Sequence, residues 1–508
     1  MDQRDHACSN EPLAGLRVIA RRERGLTASE FRQRVRRYPR DELLLGIGQM
    51  ASRLAQARQS ARPDHQLSSI WEGCLLLLAG VCVTRCNNHR NEAVTPRVVE
   101  GLVRELLNVS DRGLDGPDPD GALQRSLSRT MYLQMPFQNE PWPPMMRTLC
   151  LFGDDLRFGE PAIDRAAWHD IVGVSVEQLL QIGFLMYAAA IRNDGTIDRT
   201  VFDPGRFDPI VAPLTIGEAL EVADEWLTKP VGDLAALGRA RLADEDDLWG
   251  YNPFFEYPIA LLDGGAYVMP SPLGVLQRLS PQGVYSIIVD AINSGRLSTT
   301  VRDFSDALGV RFERYIGVQL EQMKHVSLHR EIEYDKGQKK SVDYIIETPD
   351  ALVLVEVKSR PPDAAARAGV DLDHGKMQEL FRKACDQIDR TVEQITQGNP
   401  KFPPHNGRAL RGLIITREQY YNLPVLLIGG MMPTASVPTT VWSSQALEHA
   451  TASLIEDQDC GKRFLEVLAP DTDRLYTTTD PLTLGHNPLL KGLWDQWELD
   501  WPKQDGSA

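Results

Sequence analysis

The run Ala351-Leu-Val-Leu-Val-Glu-Val-Lys358 is apolar through Val355 and then brings in two charges. An unbroken apolar run of this length, rich in Val, marks a strand buried on both faces. A second run, Ser341-Val-Asp-Tyr-Ile-Ile-Glu347, precedes it, with Thr348-Pro-Asp350 between them. Pro and Asp favour the dihedrals of a tight turn, so the two runs read as a hairpin. A turn centred between Pro349 and Asp350 sets Asp343 opposite Glu356. Directly opposed residues share a face, with Cβ atoms ~5 Å apart. Glu356 also shares that face with Lys358, because strand side chains alternate. Two carboxylates and an ammonium are therefore expected at one spot. Charges on a buried strand need compensation. An interior salt bridge or a solvent-reaching strand end would supply it, and so would a divalent cation.

Magnesium takes a few carboxylate oxygens and keeps several waters, a demand that Asp343, Glu356 and the Val357 carbonyl could meet. Lys358 would then orient or deprotonate the water that attacks a phosphodiester, while the metal offsets charge on the transition state. This constellation resembles the PD-(D/E)xK nuclease superfamily, which includes type II restriction enzymes, over about residues 300 to 447. Val342 stands at the family's nominal Pro. Pro349-Asp350 and Pro362-Asp363 spell the literal dipeptide. Asp350, however, lies ~20 Å along the strand from Glu356 and belongs to the turn.

The resemblance implies a restriction-endonuclease-like α/β core, a mixed sheet flanked by helices, with Mg²⁺ as cofactor (Mn²⁺ able to substitute). It also implies DNA as the partner, with RNA an alternative because the phosphodiester chemistry is shared. An earlier helical acid and a later helical Gln complete the family's pattern. Leu308, Phe312, Tyr315, Ile316 and Leu320 recur at helical spacing, and Glu313 sits at the edge of that stripe. In the resembling family a Glu here contributes to the metal shell; as an isolated residue it reads equally as an ordinary helix acid. Met377, Leu380, Phe381, Ala384, Ile388, Val392 and Ile395 make a second amphipathic helix, on which Gln387 matches the late Gln. Lys339 and Lys340, just before the Asp343 strand, and Lys383 on the second helix are candidate phosphate contacts. Lys376 and Arg390 read as a solvated helix face. Strands are then expected at Ala409 to Thr416 and Val437 to Trp442, followed by a helix from Gln445 to Ile455 capped by Ser443 or Ser444.

A chain of 508 residues suggests several domains. The expected division is a helical N-terminal domain (1–150), a mainly helical middle domain with a short hairpin (151–300), the nuclease-like domain (301–450) and a C-terminal extension (451–508) packing on its neighbours. A net charge of −15 argues against non-specific coating of nucleic acid. Charge is nevertheless uneven: seven of the twelve lysines fall between Lys324 and Lys383. Seven scattered cysteines suit a reducing compartment. Cys74, Cys82 and Cys86 share a helical stripe with His89 a turn beyond, but without a CxxC knuckle they read as core packing rather than a zinc site. No secretory signal and no apolar run long enough to span a bilayer is apparent, so a cytoplasmic location without a membrane partner is expected. GxxxxGK[ST], HExxH and GxSxG are all absent, which disfavours a nucleotide-driven motor, a zincin and an α/β hydrolase. A long N-terminal region before such a core suggests, by analogy of organisation only, a bacterial restriction or antiphage effector, acting with partner proteins or as a homo-oligomer. A non-catalytic nucleic-acid-binding or scaffold protein on the same core is the alternative. The choice between endo- and exonuclease is not legible in the sequence.

Overall fold

A computed structural model describes residues 26–59, 72–109, 129–132, 142–241, 250–362, 374–421, 433–455, 459–468 and 486–497, with Ser126, Pro136 and Leu248. The chain is mixed α/β. Its larger sheet has five strands: β1 (Ser327–Arg330), β2 (Tyr344–Glu347), β3 (Ala351–Lys358), β4 (Ala409–Thr416) and β5 (Thr439–Ser443), in spatial order β5-β4-β3-β2-β1. The first three form an antiparallel meander, while β4 and β5 run parallel to β3. A smaller sheet combines 196–197, 267–268, 259–261 and 228–230. It contains the expected hairpin around Asp263, turned through Gly265 at φ 83°.

Several helices bear on the larger sheet and the core behind it. They are α1 (Trp142–Phe152), α2 (Val176–Arg192), α3 (Pro281–Asn293), α4 (Val301–Leu320), α5 (His374–Thr396), α6 (Ser444–Leu454) and α7 (Pro488–Asp495). Strand alternation divides β3 between two cores. Val353 and Val355 face the large core with Phe312 and Ile316 of α4, whereas Leu352 and Leu354 face Phe381, Ala384 and Ile388 of α5. This double burial is why β3 is apolar at successive positions. Ser443 caps α6 by accepting from the Ala446 amide, as its position predicts.

Two expectations need correction. Strand β1 and a short hairpin pairing Glu333–Tyr334 with Lys339–Lys340 lie between α4 and β2, where no strand was expected. The residues of β1, Ser-Leu-His-Arg, carry no alternating apolar signal because this is an edge strand with an exposed rim. The last strand begins at Thr439 rather than Val437. The boundaries drawn at 150 and 450 fall inside α1 and α6, while Thr300 at the third is the N-cap of α4.

No break in packing accompanies those boundaries: one apolar core contains residues from Phe31 to Trp497. Its polar seam is a buried network. Arg147 of α1 donates Nε and Nη2 to the two oxygens of Glu448 of α6, both at 2.6 Å. Tyr315 of α4 donates to the same carboxylate at 2.5 Å, and Gln319 Nε2 donates to Tyr315. Arg311, two turns before Gln319, holds the carbonyls of Cys150 in the last turn of α1 and of Gly153 and Gly159 beyond it. Arg311, Tyr315 and Gln319 thus form one buried stripe at four-residue spacing on α4.

The C-terminal segment packs back as expected. Trp494 of α7 lies edge-on to Phe184 of α2, Trp497 donates to Glu177, and Asn487 donates to Gln319; Trp501 lies outside the described residues. Cys82 and Cys86 meet backbone carbonyls of Arg40 and Val35, in keeping with core packing. Arg165–Arg192 is long and apolar enough to cross a membrane. It is broken by left-handed Gly173 and the Ser175 cap, and it packs within the core.

Removing one member of a buried, hydrogen-bonded ion pair leaves the other uncompensated. Arg147→Met is therefore expected to destabilise the protein by ~3–5 kcal/mol, measured by urea unfolding. Arg147→Met/Glu448→Leu should cost less than the sum of the two single variants.

Candidate functional site

The register of the hairpin is the one its turn predicts. Tyr344 pairs with Val355, Ile345 with Leu354, Ile346 with Val353 and Glu347 with Leu352. Just beyond the last pair of that ladder come Asp343 and Glu356, close enough for the charge of Asp343 to act on Glu356. Glu356 shares a face with Leu354 and so lies on the α5 side of the sheet. Strand β2 begins only at Tyr344, opposite Val355, but β3 continues through Lys358 with β4 beside it. The Val357 amide has no strand partner on its open side and donates to Asp343 Oδ2 at 2.6 Å. On the β4 side, the Lys358 carbonyl accepts from the Arg417 amide. Carbonyls of successive strand residues point to opposite edges, so that of Val357 faces the open side, next to Asp343.

Lys358 Nζ donates to Glu356 Oε1 at 2.5 Å, yet Glu356 Oε2 is buried with no hydrogen-bond partner. Burial foremost, and then the charge of Asp343, pushes Glu356 up to about 8 against the pull of Lys358. Burial also raises Asp343 to about 6, opposed by the Val357 amide and Lys358. A buried salt bridge alone would not leave this pattern, because one ammonium faces two carboxylates and one oxygen stays orphaned.

Helix α4 adds a third acid. Gly309 and Gly317 flank Glu313 one turn away on either side, and they let the helix lie against the strand ends. A Cβ at 317 would sit 2.3 Å from Tyr344 Oη, and one at 309 would sit 3.2 Å from Ser359 Oγ. Tyr344 donates to the Glu313 carbonyl at 2.9 Å. Burial, then the charges of Asp343 and Glu331, raises the Glu313 carboxyl to about 7.

Among the described residues, no three Asp, Glu, His or Cys side chains converge closely enough to hold an ion. Glu313 therefore feels the site through its charge and is not brought into a ligand group. Asp343, Glu356, Val357 and Lys358 are brought together. Two carboxylates, an orphaned oxygen and an open carbonyl fit a small divalent cation that retains most of its waters.

The remaining candidates stand differently. Gln387 donates Nε2 to the carbonyls of Ser341 at 2.6 Å and Lys340 at 3.1 Å, and its Oε1 accepts from Arg390. Its amide hydrogens are thereby committed to backbone, so it braces the approach to Asp343 and has no donor left for a phosphate. Lys339, Lys340 and Lys383 form surface ion pairs with Asp335, Glu331 and Glu379. Such exposed pairs are weak, ~0–1 kcal/mol, and leave the ammonium groups open to exchange for phosphate. Ser341 and Thr391, which no sequence signal singles out, hold the backbone just before Asp343; nothing in their spacing distinguishes them from ordinary helix and loop residues. Comparison with protein-family models, curated proteins and solved structures found no match to this chain.

A carboxylate whose pKa is raised by folding subtracts stability once the pH exceeds its unfolded value, and the full penalty is present above its folded value. For Asp343 and Glu356 the penalty grows from about pH 4 to about pH 8 in the metal-free protein. Glu356→Gln should therefore raise Tm by ~1–3 °C at pH 9, with the gain disappearing as the pH falls to ~4. Scanning calorimetry in EDTA across that range checks the sign.

Proposed function

We propose that this chain is a Mg²⁺-dependent nuclease of the PD-(D/E)xK type that hydrolyses phosphodiester bonds in DNA in the cytoplasm. The observation that carries this reading is the buried, partnerless Glu356 Oε2 beside Asp343, on a strand end where Lys358 meets only the other oxygen of Glu356. Asp343, Glu356 and the Val357 carbonyl would hold the cation. Bound there, it supplies positive charge against the extra negative charge of the transition state. Lys358 orients the attacking water and donates to a phosphate oxygen; the water loses a proton to solvent as its new P–O bond forms, and the opposite P–O bond breaks with the leaving sugar oxygen taking a proton from solvent. Glu313 adds negative potential at the rim, which favours cation uptake. Gln387 braces the backbone just before Asp343 through the carbonyls of Lys340 and Ser341.

Lys339, Lys340 and Lys383 supply positive charge on the flank, where a polyanion would exchange for their surface carboxylates. The large helical region packed on α4 suits an effector that takes its trigger or partner there, and an antiphage or restriction setting fits that organisation.

The test is cleavage of linear, circular and single-stranded DNA and of RNA, each with Mg²⁺, Mn²⁺ or EDTA. Wild type should cut DNA with metal and not in EDTA. Asp343→Ala and Lys358→Ala should each lower the rate by ~100-fold or more. Cleavage of RNA alone would move the reading to a ribonuclease. No cleavage with either metal would favour a non-catalytic nucleic-acid-binding or scaffold role, and full activity in Asp343→Ala would overturn the assignment of this site.

A further inference from the structure

Residues 341–343 belong to no ladder, since the short hairpin ends at Lys340 and β2 begins at Tyr344. Ser341 and Val342 are fully buried, so their peptide groups need partners from elsewhere. Ser341 exchanges bonds with Ile332, accepting from its amide at Oγ and donating its own amide to its carbonyl. Its hydroxyl also donates to the Val342 carbonyl at 2.8 Å. The remaining groups are met by one turn of α5. Gln387 takes the carbonyls of Lys340 and Ser341. The Val342 amide donates to Thr391 Oγ1 at 3.0 Å.

Thr391 is fully buried, and its hydroxyl proton is already given to the Gln387 carbonyl at 3.0 Å. That bond to the residue four earlier fixes the rotamer and leaves the lone pairs as the only groups available to Val342. The next residue is Asp343. Strand β2 has only four paired positions on β3, and a slip of one residue would turn Asp343 to the other face. The anchor before Asp343 therefore shares with the Val357 amide the task of aiming its carboxylate.

We propose that Thr391, through the hydrogen bond it accepts from Val342, is a positioning residue that sets the divalent-cation affinity of the site without touching cation or substrate. The inference rests on reading Asp343 as a cation ligand. Partners that hold a ligand in place govern affinity by ~10–100-fold in metal sites generally. Thr391→Val replaces the acceptor with a methyl group, whereas Thr391→Ser keeps it.

The experiment is Mn²⁺ titration of the full chain without substrate, followed by the electron paramagnetic resonance signal of free Mn²⁺, with circular dichroism to confirm folding. Should Thr391→Val not fold, Thr391→Ala removes the same acceptor without adding bulk and is titrated instead. Wild type is expected to take up Mn²⁺, Thr391→Val to bind it ~10-fold more weakly, and Thr391→Ser to stay near wild type. Equal affinity in wild type and the acceptor-less variant overturns the role of Thr391 and leaves the cation reading standing. A Ser variant as weak as Val assigns the loss to packing and overturns it as well. No uptake by wild type overturns both the role of Thr391 and the cation reading.

Discussion

A strand that is dry on both faces runs out beside a neighbour that stops short of it, and the site follows from that mismatch. Strand β3 outlasts β2 by three residues, so its last backbone groups and its two charged side chains have no ladder partner on one edge. Asp343 answers the exposed amide of Val357. Lys358 answers one oxygen of Glu356. The other oxygen is left over, in a place too buried for bulk water to satisfy it.

Helix α4 ties this strand end to the rest of the molecule by having two unlike faces. Gly309, Glu313 and Gly317 lie toward the strand ends, where the absence of side chains at the glycines allows close approach. Arg311, Tyr315 and Gln319 turn the other way, into the buried network shared with α1, α6 and the segment before α7. Elements hundreds of residues apart in sequence thus fix one helix, and that helix presents a carboxylate to the site. Helix α5 does the corresponding work from the opposite face, through Gln387 and Thr391.

The hairpin was legible because turn chemistry, strand period and charge all bear on the same few residues. Pro349-Asp350 centred the turn, and the alternation of β3 then set Asp343 against Glu356. The flanking helices were legible from their apolar spacing. The edge strand β1 was not, because its residues are polar and it buries little. The role of Gln387 was legible as a position and not as a bonding pattern: whether a carboxamide meets a phosphate or a backbone carbonyl depends on where a distant loop comes to rest. The buried ion pair behind the sheet was not legible for a similar reason. Arg147 and Glu448 are 301 residues apart, and no local pattern announces that one will neutralise the other.

That pair bears on how the molecule could be cut down. A fragment starting at Thr300 would keep α4, the five strands and α6, yet it would carry Glu448 and Tyr315 inward with no guanidinium to meet them. It would also expose the apolar face of α4 that now covers α1. The sheet and its charged edge are for this reason not an excisable module, and the helices before residue 300 complete the same folding unit.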